Sequence, residues 1–376
     1  MIDSETFYQA LLEKDVGFFV GVPDSLLGSF CACIAQHSPQ NQHLITANEG
    51  AAIGTAAGYY LATGKLPLVY MQNSGLGNAV NPLLSLVDPA VYSIPMLLLI
   101  GWRGEPGTRD EPQHMSQGEA TMPLLEAMGI ACHHLPTDTG DAVALLHDVS
   151  ADAMEAGRPV ALLVSKNTFT GHDLIPEPDE QCLSLSRERA IDVILEVIGP
   201  EFTVVSSAGM ISRELYELRE QHGQRHDTDF LTVGSMGHCS QIAMGVALTN
   251  QNKKVICLDG DGSALMHMGS MAVTAQSGAN NLIHVILNNG RHDSVGGQPT
   301  CGLDIDFPVI AKGCGYPSVM TVDNEADLNK IMGDALSLRG PVLIEVKVRP
   351  GNRDDLGRPG MSLQEQKQAF MRHLAE

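Results

Sequence analysis

Short, unbroken apolar runs separated by helical stretches constrain this chain more than any other feature. In the first half they are VGFFVGV (16–22), HLITA (43–47), PLVYMQ (67–72), PMLLLIG (95–101) and PVALLVS (159–165). Between them lie helical segments such as SLLGSFCACIAQ, EGAAIGTAAGYYLATG and TGDAVALLHDVSADAMEAG. A strand with one wet face alternates apolar and polar residues, whereas a strand that is apolar throughout is covered on both faces. Joined by helices, such strands build parallel sheets. A polar, Pro-containing stretch, KNTFTGHDLIPEPDEQCLSLS (166–186), interrupts the alternation and has the makeup of a linker. The pattern then resumes with FTVVSS, FLTVG, KVICLDG, LIHVILNN, VMTV and PVLIEVKV. Two doubly wound parallel-sheet α/β domains follow, residues 1–167 and 187–376, joined by a linker at 168–186 with no middle domain. The final SLQEQKQAFMRHLAE reads as a terminal helix whose Leu363, Phe370 and Leu374 need a surface to cover.

A chain of 376 residues suffices for two such cores. Its net charge of -21, from 23 Lys+Arg against 44 Asp+Glu, argues against a nucleic-acid partner. An anionic small substrate remains compatible, because a few local cations dominate the field inside a pocket. The eight cysteines, at 31, 33, 132, 182, 239, 257, 301 and 314, form no CxxC pair. They read as reduced, buried thiols rather than a zinc site or a disulfide framework. MIDSETFYQALLEKD is a capped acidic helix and not a signal peptide, and no apolar run approaches the roughly 20 residues that cross a bilayer. A cytoplasmic protein without a membrane partner is expected.

Ligands of open parallel sheets gather at the C-terminal ends of strands. That selects GVPDS (21–25), NEGAA (48–52), NSGLGN (73–78), the segment 101–118, GSMGHCS (234–240), GDGS (260–263) and NNGRHDSVGG (288–297). After Gly262 come 25 residues, 263–287, and then Asn288 and Asn289. One strand–helix–strand crossover of that length puts Asp261 and Asn289 on neighbouring loops. Both offer hard oxygen donors of the kind Mg²⁺ takes. The helix opening after GDGS presents free N–H groups to an anion, and Gly260 and Gly262 allow close backbone approach. By itself GDGS is as readily a tight turn, being neither G-x-G-x-x-G nor a P-loop.

Paired with the double asparagine, GDGS resembles the signature of thiamine diphosphate-dependent decarboxylases. The resemblance implies that Asp261, Asn289 and the main-chain carbonyl of Arg291 hold Mg²⁺. It also implies that Gly260, Gly262 and Ser263 seat the diphosphate. ITANEGAAIGTAAGYYLATGK is similar to the pyrimidine-binding element of that family. Its Glu49 would hydrogen-bond the aminopyrimidine ring and promote loss of the thiazolium proton. NSGLGN, with Ser74 and Gly75, resembles the small-residue loop lining the pyrimidine pocket. TVGSMGHCSQIAMGVAL, with Ser235 and Met236, resembles the segment that braces the cofactor in its bent form. Read without the family, Glu49 is an acid in the first turn of a helix. Likewise Asn288 is a strand-end turn residue, and Met236 a core methionine.

The resemblance runs over nearly the whole chain, pyrimidine half first, and the missing middle domain is similar to the sulfopyruvate/phosphonopyruvate decarboxylase branch. It implies the thiamine diphosphate-binding fold and decarboxylation of a 2-oxo acid carrying a second anion. A phosphonate is favoured. A sulfonate, or carboligation of the acetolactate synthase type, are the alternatives within the family, and a non-catalytic nucleotide-binding module is the alternative outside it. The resemblance also implies a homo-oligomer, at least a dimer, with sites at the subunit interface. For the second anion, NNGRHDSVGGQPT supplies Arg291, His292 and Ser294. GWRGEPGTRDEPQHMSQG supplies Arg103, Arg109 and His114 on a long loop able to close over a site. Either stretch also reads as ordinary solvated loop. GVPDS offers Asp24 and Ser25 as further catalytic candidates alongside His114 and His292, with a capped turn as the plain alternative for GVPDS. The pair His133–His134 reads as structural and remote from the strand-end loops.

Overall fold

A computed structural model describes residues 1–173 and 183–376, which form two compact units, one before and one after the intervening stretch. Most of the expected linker, 174–182, lies outside the described residues. Its first residues belong to the first unit: Phe169–Thr170 pair in parallel with Ile2–Asp3, a two-residue match too short to show in the sequence.

The first unit holds six parallel strands, β1 (Phe19–Gly21), β2 (His43–Ile45), β3 (Leu68–Gln72), β4 (Met96–Gly101), β5 (Ala131–His134) and β6 (Pro159–Val164). They lie in the order β2-β1-β3-β4-β6-β5. The second unit holds β7 (Thr203–Ser206), β8 (Asp229–Leu231), β9 (Val255–Gly260), β10 (Leu282–Asn288), β11 (Ser318–Val322) and β12 (Val342–Lys347), in the order β8-β7-β9-β10-β12-β11. Counted within each unit the order is the same, 2-1-3-4-6-5. The two halves therefore share a topology that no sequence repetition announces. In each, the first strand sits between the second and the third, so the chain winds both ways from that point. Open parallel sheets bind their ligands at such a point, outside the carboxyl ends of the strands.

The central apolar runs are buried on both faces, whereas the edge strands His43–Ile45 and Ser318–Val322, expected to be covered like the rest, are partly exposed because no strand lies beyond them. In β3 and β4, Leu68, Tyr70, Leu97 and Leu99 pack into one core with Phe7, Leu11 and Phe30. The alternate residues Val69, Met71, Leu98 and Ile100 pack into another with Ala52, Ile53 and Leu83. The second unit repeats this, with Ile256 and Leu258 on one face and Val255 and Cys257 on the other. The terminal helix, Leu363–Ala375, begins at a reciprocal Ser362–Glu365 capping box and lays Phe370 against Phe230, ring centroids 5.5 Å apart. Leu374 packs into the same cluster, while Leu363 is only half-buried.

Three local expectations need correction. The 101–118 segment is irregular only to Glu111: Pro112, pre-set for a first helical position, opens a helix to Ala127, and His114 therefore sits on that helix. The helix after GDGS is short, Asp261–Met266, and the chain breaks at His267 before a new helix at Ser270–Gln276. His134 is not remote from the strand-end loops, because β5 is an edge strand and this is its last residue. Its Nε2 lies 2.8 Å from Ser165 Oγ and 3.2 Å from Glu105 Oε1. Among the described residues no helix is long and apolar enough to cross a membrane.

Candidate active site

In the second unit, the ends of β7, β9 and β10 surround a cleft that opens to solvent. Ser207 and Ala208, Gly260 to Ser263, Asn289, Arg291 to Ser294 and Met236 line it. Asp261 is the first residue of its helix and is 2% exposed. No N-cap side chain closes that helix, and the opening N–H groups of Asp261 and Gly262 point at the Asp261 carboxylate. The Asp261 carboxylate accepts a hydrogen bond from the Thr300 hydroxyl, and burial pushes it up to about 6. Thr300 and the backbone N–H of Asn289 offset that only in part. A buried carboxylate whose partners are neutral donors is what a divalent cation complements. The loop above it is closely fitted: a methyl group on Gly302 would lie 2.6 Å from Asp261 Oδ2 and 2.7 Å from Asn288 Oδ1.

The two asparagines divide their work. Asn288, fully buried at the end of β10, donates to the carbonyl of Gly302 and to Glu345 Oε1, at 2.7 and 2.8 Å, and fixes the turn. Asn289 is 3% exposed; its Oδ1 accepts from the Arg291 N–H at 3.0 Å and its Nδ2 donates to Asp293 Oδ2 at 2.7 Å. Asp293 is anchored in turn by Arg187 Nη1 at 2.7 Å, and Arg187 forks onto Glu214 at 2.7 and 2.9 Å. Sequence reasoning missed Arg187 and Glu214, because their partnership spans loops that carry no motif. The charge of Arg187 in the first turn of its helix was the one available signal.

Gly262 is the floor on which two expected residues meet. A methyl group there would lie 2.8 Å from Cε1 and 2.9 Å from Nδ1 of His292, and 3.3 Å from Cε of Met236. Burial pushes His292 down to about 4, so it is neutral at physiological pH. Met236 rides on a turn with Ser235 at φ 56° and Gly237 at φ 87°, and the Gly237 N–H donates to Ser263 Oγ at 3.1 Å. Ser263 thus ties the methionine turn to GDGS. Ser235 is exposed and faces His238. Arg291 is half-buried at the cleft, and Ser294 lies over Gly209.

In the first unit, Asn48 caps the helix Glu49–Thr63 by accepting from the Ala51 N–H, which places Glu49 in the first turn. Glu49 is 5% exposed, and Asn78 Nδ2 donates to its Oε2 at 2.8 Å. A methyl group on Gly75 would fall 2.3 Å from Glu49 Oε1, so only glycine leaves the carboxylate where it is. Asn78 stood inside NSGLGN without any assigned role.

A chain of hydrogen bonds joins the neighbouring loops. Ser74 Oγ donates to Gln72 Oε1 at 2.8 Å, and Gln72 Nε2 donates to Asp24 Oδ1 at 2.6 Å. Asp24 is fully buried, its Oδ2 accepting from the Leu26 N–H at 3.1 Å, and burial pushes its carboxyl up. Asp24 therefore turns inward, whereas Ser25 is exposed and accepts from Arg103 Nη1 at 3.1 Å. Arg103 is itself held: its Nε and Nη2 fork onto Asp110 at 2.7 and 2.5 Å, and His114 Nδ1 lies 3.0 Å from the same carboxylate. Those partners, Arg103 foremost, keep Asp110 well below the usual carboxylate range. Arg103, His114 and Ser25 are thus gathered around Asp110, and Arg109 stands apart, exposed.

The N-terminal TPP binding domain of thiamine pyrophosphate enzymes matches residues 3–124, and the C-terminal TPP binding domain of the same enzymes matches residues 207–346. Phosphonopyruvate decarboxylase of Streptomyces hygroscopicus is 36% identical over all of this chain and 95% of its own length. Sulfopyruvate decarboxylase of Methanosarcina acetivorans is 32% identical over 80% of each chain. In Methanothermobacter thermautotrophicus, sulfopyruvate decarboxylase subunit beta is 39% identical over 46% of this chain and 86% of itself. Subunit alpha of the same organism is 31% identical over 43% of this chain and 94% of itself. Glu49 falls in the first matched domain and Asp261 and Asn289 in the second. The chain belongs to the thiamine pyrophosphate enzyme family, on the branch that holds the phosphonopyruvate and sulfopyruvate decarboxylases.

Proposed function

We propose that this enzyme decarboxylates 3-phosphonopyruvate to phosphonoacetaldehyde and CO₂, a step of phosphonate biosynthesis, with thiamine diphosphate and Mg²⁺. The end-to-end likeness to a phosphonopyruvate decarboxylase carries the choice of substrate. Bound thiamine diphosphate supplies the electron sink that decarboxylation of a 2-oxo acid requires. Asp261, Asn289 and the carbonyl of Arg291 hold Mg²⁺, and the backbone of Gly260 to Ser263 takes the diphosphate. Met236, beside Gly262, would brace the cofactor in its bent form. Glu49 hydrogen-bonds the aminopyrimidine, with Asn78 and Gly75 holding its carboxylate in place.

Neutral His292, Arg291 and Ser294 receive the second anion. Arg291 is preferred over Arg103 and Arg109 because it lines the cleft with Asp261 and Asn289. Asp24, turned inward and held by Gln72 and the Leu26 N–H, is a further polar group of the pyrimidine half, while Ser25 and His114 stand beside Arg103 and Asp110. A coupled aldehyde assay on phosphonopyruvate, sulfopyruvate and pyruvate tests this. Phosphonopyruvate should have the highest kcat/KM. Arg291→Ala should lower it about 100-fold for both dianions and little for pyruvate, as loss of a charge-assisted contact does. A preference for sulfopyruvate replaces the substrate, and equal losses on all three remove Arg291 from anion binding.

The same proposal makes the enzyme a homo-oligomer whose sites take Glu49 from one chain and Asp261 from another. Glu49→Gln and Asp261→Asn chains, each inactive alone, should on mixing recover about a quarter of wild-type activity. Half of the random dimers then carry one intact site of two. No recovery after demonstrated subunit exchange would place both residues of a site on one chain.

A further inference from the structure

A second constellation of ligand-type side chains lies in the first unit, away from Glu49 and Asp24. Cys33 and His37 are four residues apart on the helix Gly28–His37 and project from one face of it. His172 follows the strand Phe169–Thr170, and Glu5 stands in the first turn of the helix Ser4–Glu13. The sulfur of Cys33 and one ring nitrogen from each histidine all lie within 4.8 Å of one another. Nε2 of His37 and Nε2 of His172 are 3.7 and 3.6 Å from Glu5 Oε2. In a tetrahedral site with metal–nitrogen bonds near 2.0–2.1 Å and a metal–sulfur bond near 2.3 Å, adjacent ligand atoms stand about 3.5 Å apart. Each histidine already stands near that spacing from Glu5, and the group of Cys33, His37 and His172 needs to close by at most about 1.3 Å.

The surroundings are built for ligation as well. His172 Nδ1 lies 3.1 Å from Gln36 Oε1, while the His172 N–H donates to Ser29 Oγ at 3.0 Å and Gln36 Nε2 donates to the carbonyl of Asp173 at 2.8 Å. An Nδ1–H bonded to Gln36 leaves the Nε2 lone pair facing Glu5, the tautomer and orientation that outer partners impose on a metal-binding histidine.

We propose that Cys33, His37 and His172, with Glu5 beside the two histidines, form a site for a borderline divalent cation of the Zn²⁺ class, distinct from the all-oxygen donors at Asp261. The helix bearing Cys33 and His37 starts at the carboxyl edge of the sheet and runs back to the opposite edge, reaching it at His37 just before β2. The site is therefore remote from the catalytic loops of its unit. Bound there, the cation pins the chain beyond β6 to two of the helices that cover one face of the sheet.

Co²⁺ is the probe, added to metal-stripped full-length enzyme reloaded with Mg²⁺ and thiamine diphosphate. One equivalent should bind with a near-ultraviolet thiolate-to-metal band and strong visible absorption of tetrahedral type, displaced by one equivalent of Zn²⁺. Cys33→Ser should abolish the band. His37→Gln, at an exposed position that spares the fold, should weaken binding at least 100-fold, and Gln36→Ala about tenfold. Aldehyde formation by the Mg²⁺ enzyme should stay within twofold in each variant. Absence of a thiolate band, or its persistence in Cys33→Ser, overturns the site and leaves only ion pairs between Glu5 and the histidines.

Discussion

Glu49→Gln should lower kcat by three orders of magnitude or more, while the melting temperature and the affinity for thiamine diphosphate with Mg²⁺ stay close to wild type. The substitution keeps the shape of the side chain. Its amide oxygen can still accept from Asn78 Nδ2, and the tight contact with Gly75 is unchanged, so packing gives no reason for unfolding. What disappears is the carboxylate, and with it a proton-accepting group of the right charge; such groups are worth about 10²–10⁴-fold in rate. Asn78→Ala makes the complementary case. It leaves the carboxylate but removes its orienting donor, and kcat should fall by about 10-fold, less than for the charge-removing change. Steady-state kinetics with calorimetric cofactor titration separates these effects. Full activity in Glu49→Gln would reduce the residue to an acid favoured by the helix dipole, as its position in the first turn already permits.

The pattern that foretold the sheets was physically strong, because a doubly covered strand must be apolar at every position and nothing else in a soluble chain needs that. Boundaries shortened to the hydrogen-bonded cores, as for VGFFVGV, of which only Phe19–Gly21 pairs. The GDGS and NN loops were legible because their spacing is set by one crossover. Less visible were residues that act on those loops from elsewhere. Arg187 reaches Asp293 across 106 positions, and Gln72 reaches Asp24 across 48. Such pairs are made by the topology and leave no local periodicity to read. Direction was also hidden: GVPDS could not reveal that Asp24 turns in and Ser25 out, because that depends on Gly101 offering no side chain where Asp24 Oδ2 comes to rest. The tight fit of Gly75 against Glu49 has the same character, a small residue whose reason lies in another loop.

Asp261→Asn should have two opposite effects, and their combination distinguishes a metal ligand from a structural carboxylate. The folded-state carboxyl is raised from 3.8 to about 6 by burial. Between those values the folded chain holds a proton that the unfolded chain has released, so stability falls as pH rises through this window and is constant above it. By pH 7 the loss is about 3 kcal/mol for the metal-free protein. Asparagine carries no charge to bury and its carbonyl can still accept from Thr300. Metal-free Asp261→Asn should therefore melt higher than metal-free wild type at pH 7, by about 5–10 °C for a unit of this size, and the two should converge near pH 4. With Mg²⁺ and thiamine diphosphate added at pH 7 the order should reverse. The wild type gains stability from the cation that its carboxylate attracts, whereas the variant gains little and loses activity. Scanning calorimetry at pH 4 and 7, with and without both ligands, reads all four conditions. A carboxylate kept for structure would give the opposite metal-free result, since removing one member of a buried polar cluster destabilises by several kcal/mol at any pH where it is charged. Retained Mg²⁺-dependent cofactor binding in the variant would take Asp261 out of the metal site altogether.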